Sequence, residues 1–128
     1  MLTLNNFLAV AIGGLIGSLL RWLVSVWLNP LWPPVPLGTM AVNVVGSFII
    51  GMALAWFIHE PQTSVSLRLL ITTGFCGGFT TLSAFSAEVV GLLIEGRVVW
   101  AFTTMCVNVI GAFAATYLGM KTVQGVMS

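Results

Sequence analysis

The sequence predicts an all-α integral membrane protein of four transmembrane helices, the third broken at its middle. Three observations carry this fold class. Of 128 residues, 59% are hydrophobic and only 5% are charged, against about 25% charged in soluble domains. A bilayer core about 30 Å thick needs about 20 apolar residues of helix, and four such windows follow one another, at 7–28, 37–58, 69–93 and 98–120. The third window carries its polar residues at its centre, where a spanning helix should be most apolar.

The windows are separated by short punctuators: NPLWPPVP at 29–36, HEPQTSVS at 59–66, and Glu95-Gly96-Arg97 within 94–97. Proline and glycine at these places end helices rather than build strands. The expectation is one membrane domain over 1–128. The first window has no basic leader and no small-residue cleavage site, and it carries Arg21; it is expected to stay as a span rather than be removed as a signal peptide. Small residues at close spacing, Gly13-Gly14-x-x-Gly17, Ser47-x-x-x-Gly51 and Gly111-x-x-x-Ala115-x-x-x-Gly119, let helix backbones approach one another. Trp22, Trp27, Trp32, Trp56 and Trp100 mostly fall near window ends, where aromatic belts form.

Charge then bears on assembly. With four spans, Arg68 and Lys121 lie on one side, and Arg97 with Arg21, which can snorkel, on the other. Lys and Arg in short loops set orientation, and two against two gives almost no bias. A chain so balanced can insert both ways up, and an antiparallel dual-topology homodimer with its two-fold axis in the membrane plane follows. A net charge of +1 leaves no footprint for nucleic acid or polybasic lipid contact.

The stretch GFCGGFTTLSAFSAE (74–88) holds three glycines, four hydroxyls and one carboxylate at the centre of the third window. Each glycine costs about 1 kcal/mol of helix propensity and each β-branched residue several tenths. A break near 77–81 frees main-chain groups that cannot stay bare in hydrocarbon and must be buried in protein, line water or hold an ion. Freed carbonyls suit a cation such as Na⁺. The same glycines also suit a packing notch, with the hydroxyls bonded back to i−4 carbonyls, and spacing alone does not separate these readings.

The other polar residues inside the spans are mostly neutral donors: Asn43 and Ser47 at i, i+4 in the second window, Ser83 and Ser86 after the break, and Asn108 and Thr116 in the fourth. Amides and hydroxyls can replace an anion's hydration shell without a fixed charge to trap it, the compromise that conduction requires. The edge of Phe85 is the positive end of a ring quadrupole and can face an anion. Glu88 is the one carboxylate well inside a span, a functional candidate as proton carrier or hydrogen-bond acceptor. Arg21 is expected to be structural, by snorkelling or by capping carbonyls. Cys76 and Cys106 lie in separate spans without a CxxC pattern and read as small packing residues. The chain has no aspartate, one histidine (His59, at a loop), no phosphate loop and no nucleophile–base pair, so catalysis is not expected.

Together these residues resemble the CrcB/Fluc family of fluoride channels. GFCGGFTTLSAFSAE is similar to that family's third-helix GGxTTFSTFSxE, GTMAVNVVGSFIIG (38–51) to its second-helix GTxxxNxxGS, and Arg21-Trp22 to its first-helix basic position. The resemblance runs in order along nearly the whole chain. It implies a multi-pass protein of the bacterial inner membrane, a dual-topology homodimer with two fluoride pores that export the ion passively. It also implies a central structural Na⁺ held by the main-chain carbonyls of Gly77 and Thr80 from both subunits. It places Asn43 and Phe85 in the pore, with Ser83 and Thr116 on its polar track. The family's TTFSTF reads TTLSAF here: Leu82 stands for the first aromatic and Ala84 for a threonine. Leucine offers no positive edge, so slower conduction is expected at that fluoride site. Two other readings remain: a small proton-coupled exporter of the four-helix multidrug type, with Glu88 substituting for a first-span glutamate, and a non-transporting subunit of a larger membrane complex.

Overall fold

The computed structural model describes residues 1–32 and 35–128; Pro33 and Pro34, within the first expected punctuator, lie outside the described residues. The described residues form helices with no strand among them. Helix α1 spans Leu4–Leu28 and runs into a 3₁₀ turn at Asn29–Leu31. Helix α2 spans Leu37–His59. Helix α3 (65–79) is α-helical over Val65–Leu69, π-helical over Leu70–Cys76 and α-helical again over Gly77–Phe79. Helix α4 spans Leu82–Ile94 and α5 Val98–Met127. The four expected spans are present, as four stretches long and apolar enough to cross a membrane. The last is longer than expected, because Lys121, Thr122 and Gln124 continue the helix beyond its apolar part.

Local chemistry sets the ends. Thr3 caps α1 by accepting the Asn6 amide at 3.2 Å. Asn29 closes the α1–α2 turn: its Oδ1 accepts the amides of Gly38 (2.7 Å) and Thr39 (3.2 Å), two orphan donors at the start of α2. Ser64 caps α3 through the Leu67 amide. Arg68 holds the preceding loop by donating to the carbonyls of Thr63 (3.1 Å) and Pro61 (2.9 Å) while lying over the Phe57 ring. Gly96, with φ of 76°, makes the turn between α4 and α5.

The spans associate through their glycines. Gly13 and Gly17 of α1 lie against the backbone of α3 at Leu70 and Phe75, and a Cβ on Gly17 would also stand 2.9 Å from the Phe79 amide. Gly78 answers from the other side, where a Cβ would be 2.8 Å from the Gly14 carbonyl. In the second pair, Gly51 of α2 meets the Thr116 carbonyl of α5, and Gly119 of α5 meets the Phe48 carbonyl of α2. Contact positions advance together along the chain in the first pair, and in the second from Asn43–Asn108 through Val44–Gly111 to Gly51–Thr116, so α1 runs parallel to α3 and α2 to α5. The spacings read from the sequence are the ones in contact.

Large apolar side chains point outward along every span, among them Phe7, Trp22, Trp27, Ile94 and Phe113. The buried apolar cluster is small, Val89, Leu92 and Ala101 with Phe85, Trp100 and Met105 against it. Soluble proteins keep such residues inside; here the surroundings are lipid. Trp32 and Trp100 meet edge to face at 5.4 Å.

Candidate functional site

The site begins where the third span stops being a helix. In the 30-residue stretch Val65–Ile94 the break falls at the centre, at Thr80 (φ −87°, ψ 160°) and Thr81 (φ −150°, ψ 113°), both extended. It is narrower than the 77–81 window expected: Gly77, Gly78 and Phe79 remain helical, and the Thr80 amide still donates to the Cys76 carbonyl at 3.0 Å. The physical reason lies in α1 and α2. Gly78 is needed as a glycine for the approach of α1, so it serves packing. The threonines can leave the helix because α2 supplies replacement partners.

Those partners come from Asn43. Its Oδ1 accepts the Thr81 amide at 2.8 Å, and its Nδ2 donates to the Thr81 carbonyl at 3.2 Å. One side-chain amide thus pairs with both main-chain groups of the residue that the helix abandons. The second Nδ2 hydrogen goes to Oδ1 of Asn108 on α5 at 3.0 Å, and Asn108 Nδ2 donates to the Thr104 carbonyl at 2.9 Å. Each member of such a chain fixes the next. Gly46, one turn along α2, lets the Thr80 methyl lie directly over the helix. Thr81 then caps α4, its Oγ1 accepting the Ala84 amide at 3.2 Å.

Not every freed group is satisfied in this way. The Gly78 carbonyl accepts Nε of Arg21 at 2.9 Å, so the basic residue of α1 caps a carbonyl, as its sequence position allowed. Among the described residues, the hydrogen bonds that cross the break include none to the carbonyl oxygens of Gly77 or Thr80. Gly77 is exposed and Thr80 half-buried. Both border a groove of about 530 Å³ that Asn43, Ser47, Phe85 and Asn108 also line. Among the described residues no charged side chain lines it.

Of the residues singled out in the sequence, Asn43, Ser47, Gly77, Thr80, Leu82, Phe85 and Asn108 meet at this groove. Leu82 is 77% exposed at its mouth. Ser47 turns its hydroxyl onto the Asn43 carbonyl (2.7 Å) and Thr80 onto that of Cys76 (2.8 Å). Four others are not brought in. Ser83 is exposed beside Thr81, 3.4 Å between hydroxyls. The Thr116 hydroxyl bonds back to the Ala112 carbonyl at 3.0 Å. Arg21 works on the α1 side. Glu88 lies two turns beyond the break, where Thr39 donates to its Oε2 at 2.6 Å; its Oε1 is buried without a partner among the described residues. Sequence reasoning missed Thr39, 2% exposed, and Thr81. The available signal was that Thr39 stands four residues before Asn43, on the same face of α2.

A small multi-pass membrane protein with an uncharged polar site at a mid-span helix break is the class that this geometry defines. Residues 8–120 match the family model described as CrcB-like protein, Camphor Resistance (CrcB). Similar proteins include the fluoride-specific ion channels FluC of Escherichia coli strain SMS-3-5 and strain SE11. Each is 55% identical over 115 residues, covering 90% of this chain and 91% of the relative. The chain belongs to the CrcB family.

Proposed function

We propose that the protein is a fluoride-specific channel of the bacterial inner membrane, exporting fluoride passively and so lowering its toxicity in the cytoplasm. The observation that carries this reading is the groove at the break, where the amides of Asn43 and Asn108 and the hydroxyls of Ser47 and Thr81 stand among apolar side chains, Phe85 and Phe113 included, with no charged side chain among the described residues. A charged wall would hold an anion; neutral donors let it leave. The naming of the Escherichia coli relatives supports the choice of ion.

Both hydrogens of Asn43 Nδ2 are already engaged, one on the Thr81 carbonyl and one on Asn108. An anion entering the groove takes the place of Asn108 Oδ1 as acceptor, while the pairing with Thr81 keeps the amide aimed. Phe85 presents its ring at the same wall. Ser83, on the exposed face of α4, extends the donors where a second copy covers that face. Thr116, with its hydroxyl turned to its own helix, adds no donor to this groove.

The working unit is an antiparallel dual-topology homodimer with a structural Na⁺ at its centre. The residues fit such an ion. The Gly77 and Thr80 carbonyls are hard, uncharged oxygens without hydrogen-bond donors, as in the broken helices that hold sodium elsewhere. Among the described residues no group of His, Cys, Asp and Glu could hold a metal instead. One copy offers two such oxygens, and a second related by a two-fold axis offers two more. A bound sodium would supply the positive charge that the open carbonyl ends lack.

The test is fluoride efflux from proteoliposomes, followed with a fluoride electrode beside a chloride electrode. Rapid fluoride release that chloride does not share is expected, and Asn43→Asp should abolish it by placing a negative charge in the groove. Equal release of both ions, or none of either, would refute the reading.

A further inference from the structure

We infer that Arg21 is a positioning residue for the cation site: by engaging the Gly78 carbonyl it leaves the oxygens of Gly77 and Thr80 as the ones presented to the groove. This rests on the sodium reading above. A helix that stops leaves its last carbonyls without amides, and the break strips residues 77–80 in this way. Left to themselves, neighbouring oxygens of one kind compete for the same ion and the same water.

The structure divides them. The Nε of Arg21 reaches Gly78 across 57 positions of sequence, at 2.9 Å. It arrives from the α1 side, where Gly78 is pressed against Gly14 and a Cβ would stand 3.2 Å from the Ser18 amide. Ser18 does not compete, because its hydroxyl is turned back onto Gly14 (2.7 Å). Gly77 is not pressed in this way: a Cβ there would meet only the Thr72 carbonyl, at 3.8 Å, an ordinary contact. It faces the groove with Thr80. The guanidinium and the cation therefore address the helix end from different sides.

The test uses the whole purified protein and sodium chloride, with choline chloride as the control. In the wild type, sodium should raise the thermal midpoint, and the ¹³C carbonyl signal of Gly77 should move on exchange while that of Gly78 stays. In Arg21→Met the Gly78 signal should move to a new position, and the sodium concentration for the half-maximal midpoint shift should rise about tenfold. Arg21→Lys, which can still donate to Gly78, should recover most of the wild-type response. A sodium shift of unchanged size and midpoint in Arg21→Met overturns the inference, even if that variant is less stable overall. If Arg21→Met does not fold, the wild-type carbonyl signals decide, since a Gly78 signal that moves with sodium overturns the inference as well. A wild type indifferent to sodium refutes the cation reading, and the role of Arg21 falls with it.

Discussion

Asn43→Ala tests the central contact of the site. The substitution removes three hydrogen bonds at once: from the Thr81 amide (2.8 Å), to the Thr81 carbonyl (3.2 Å) and to Asn108 Oδ1 (3.0 Å). A buried polar group that loses its partner costs about 1–3 kcal/mol. The groove admits water to this wall, so the low end applies, about 1 kcal/mol for each bond and about 3 kcal/mol in all. Reversible unfolding in mixed micelles with a rising fraction of denaturing detergent reads that loss. In an Asn108→Ala background the Asn108 partner is already gone, and the cost should fall to about 2 kcal/mol. Hydrogen exchange supplies an independent readout, because the Thr81 amide has Asn43 as its acceptor. Exchange there should accelerate about tenfold for each 1.4 kcal/mol lost. A cost below about 1 kcal/mol, with Thr81 exchange unchanged, would show that water replaces Asn43 freely and that the asparagine does not hold the break.

Other outcomes follow from neighbouring contacts. Gly17→Ala forces a Cβ onto the backbone of Phe75 and Phe79 and should cost about 1–3 kcal/mol, whereas Gly91→Ala, with nothing within 4 Å, should stabilise by up to about 1 kcal/mol; the same detergent titration separates them. Thr39→Val strips from the Glu88 carboxylate the one hydrogen bond it has among the described residues and should cost about 1.5–3 kcal/mol, while Thr39→Ser should behave as wild type. Leu82→Phe adds a ring edge at the exposed mouth of the groove and should speed fluoride efflux; an unchanged rate would show that the leucine costs the pore nothing.

The spans were legible because apolar length is a property of the chain alone. The glycine ridges were legible as packing faces for the same reason: Gly13, Gly17, Gly51 and Gly119 recur at helical spacing, and each meets the backbone of a neighbouring helix. The break was only partly legible. Gly77 and Gly78 look like helix breakers in sequence, yet both stay helical, Gly78 serving the close approach of α1, and the extended residues are Thr80 and Thr81. What decides the matter is Asn43, and its pairing with Thr81 spans 38 positions, beyond the reach of any local rule. The same distance hid the Thr39–Glu88 bond, 49 positions apart. Arg21 was legible as a carbonyl cap in kind, while the identity of the carbonyl needed the fold.

The π-helical run Leu70–Cys76 gives the third span spare length just before its interruption. A π turn closes over one residue more than an α turn, so a relative shorter by one residue there can wind the run as ordinary helix and still deliver Thr81 to Asn43. Loss of a residue from Gly77–Phe79 has no such remedy, since it swings everything beyond it by about 100° around the axis. Insertions and deletions in this lineage should therefore collect upstream, in the loosely wound turns, and spare the short tight segment that follows.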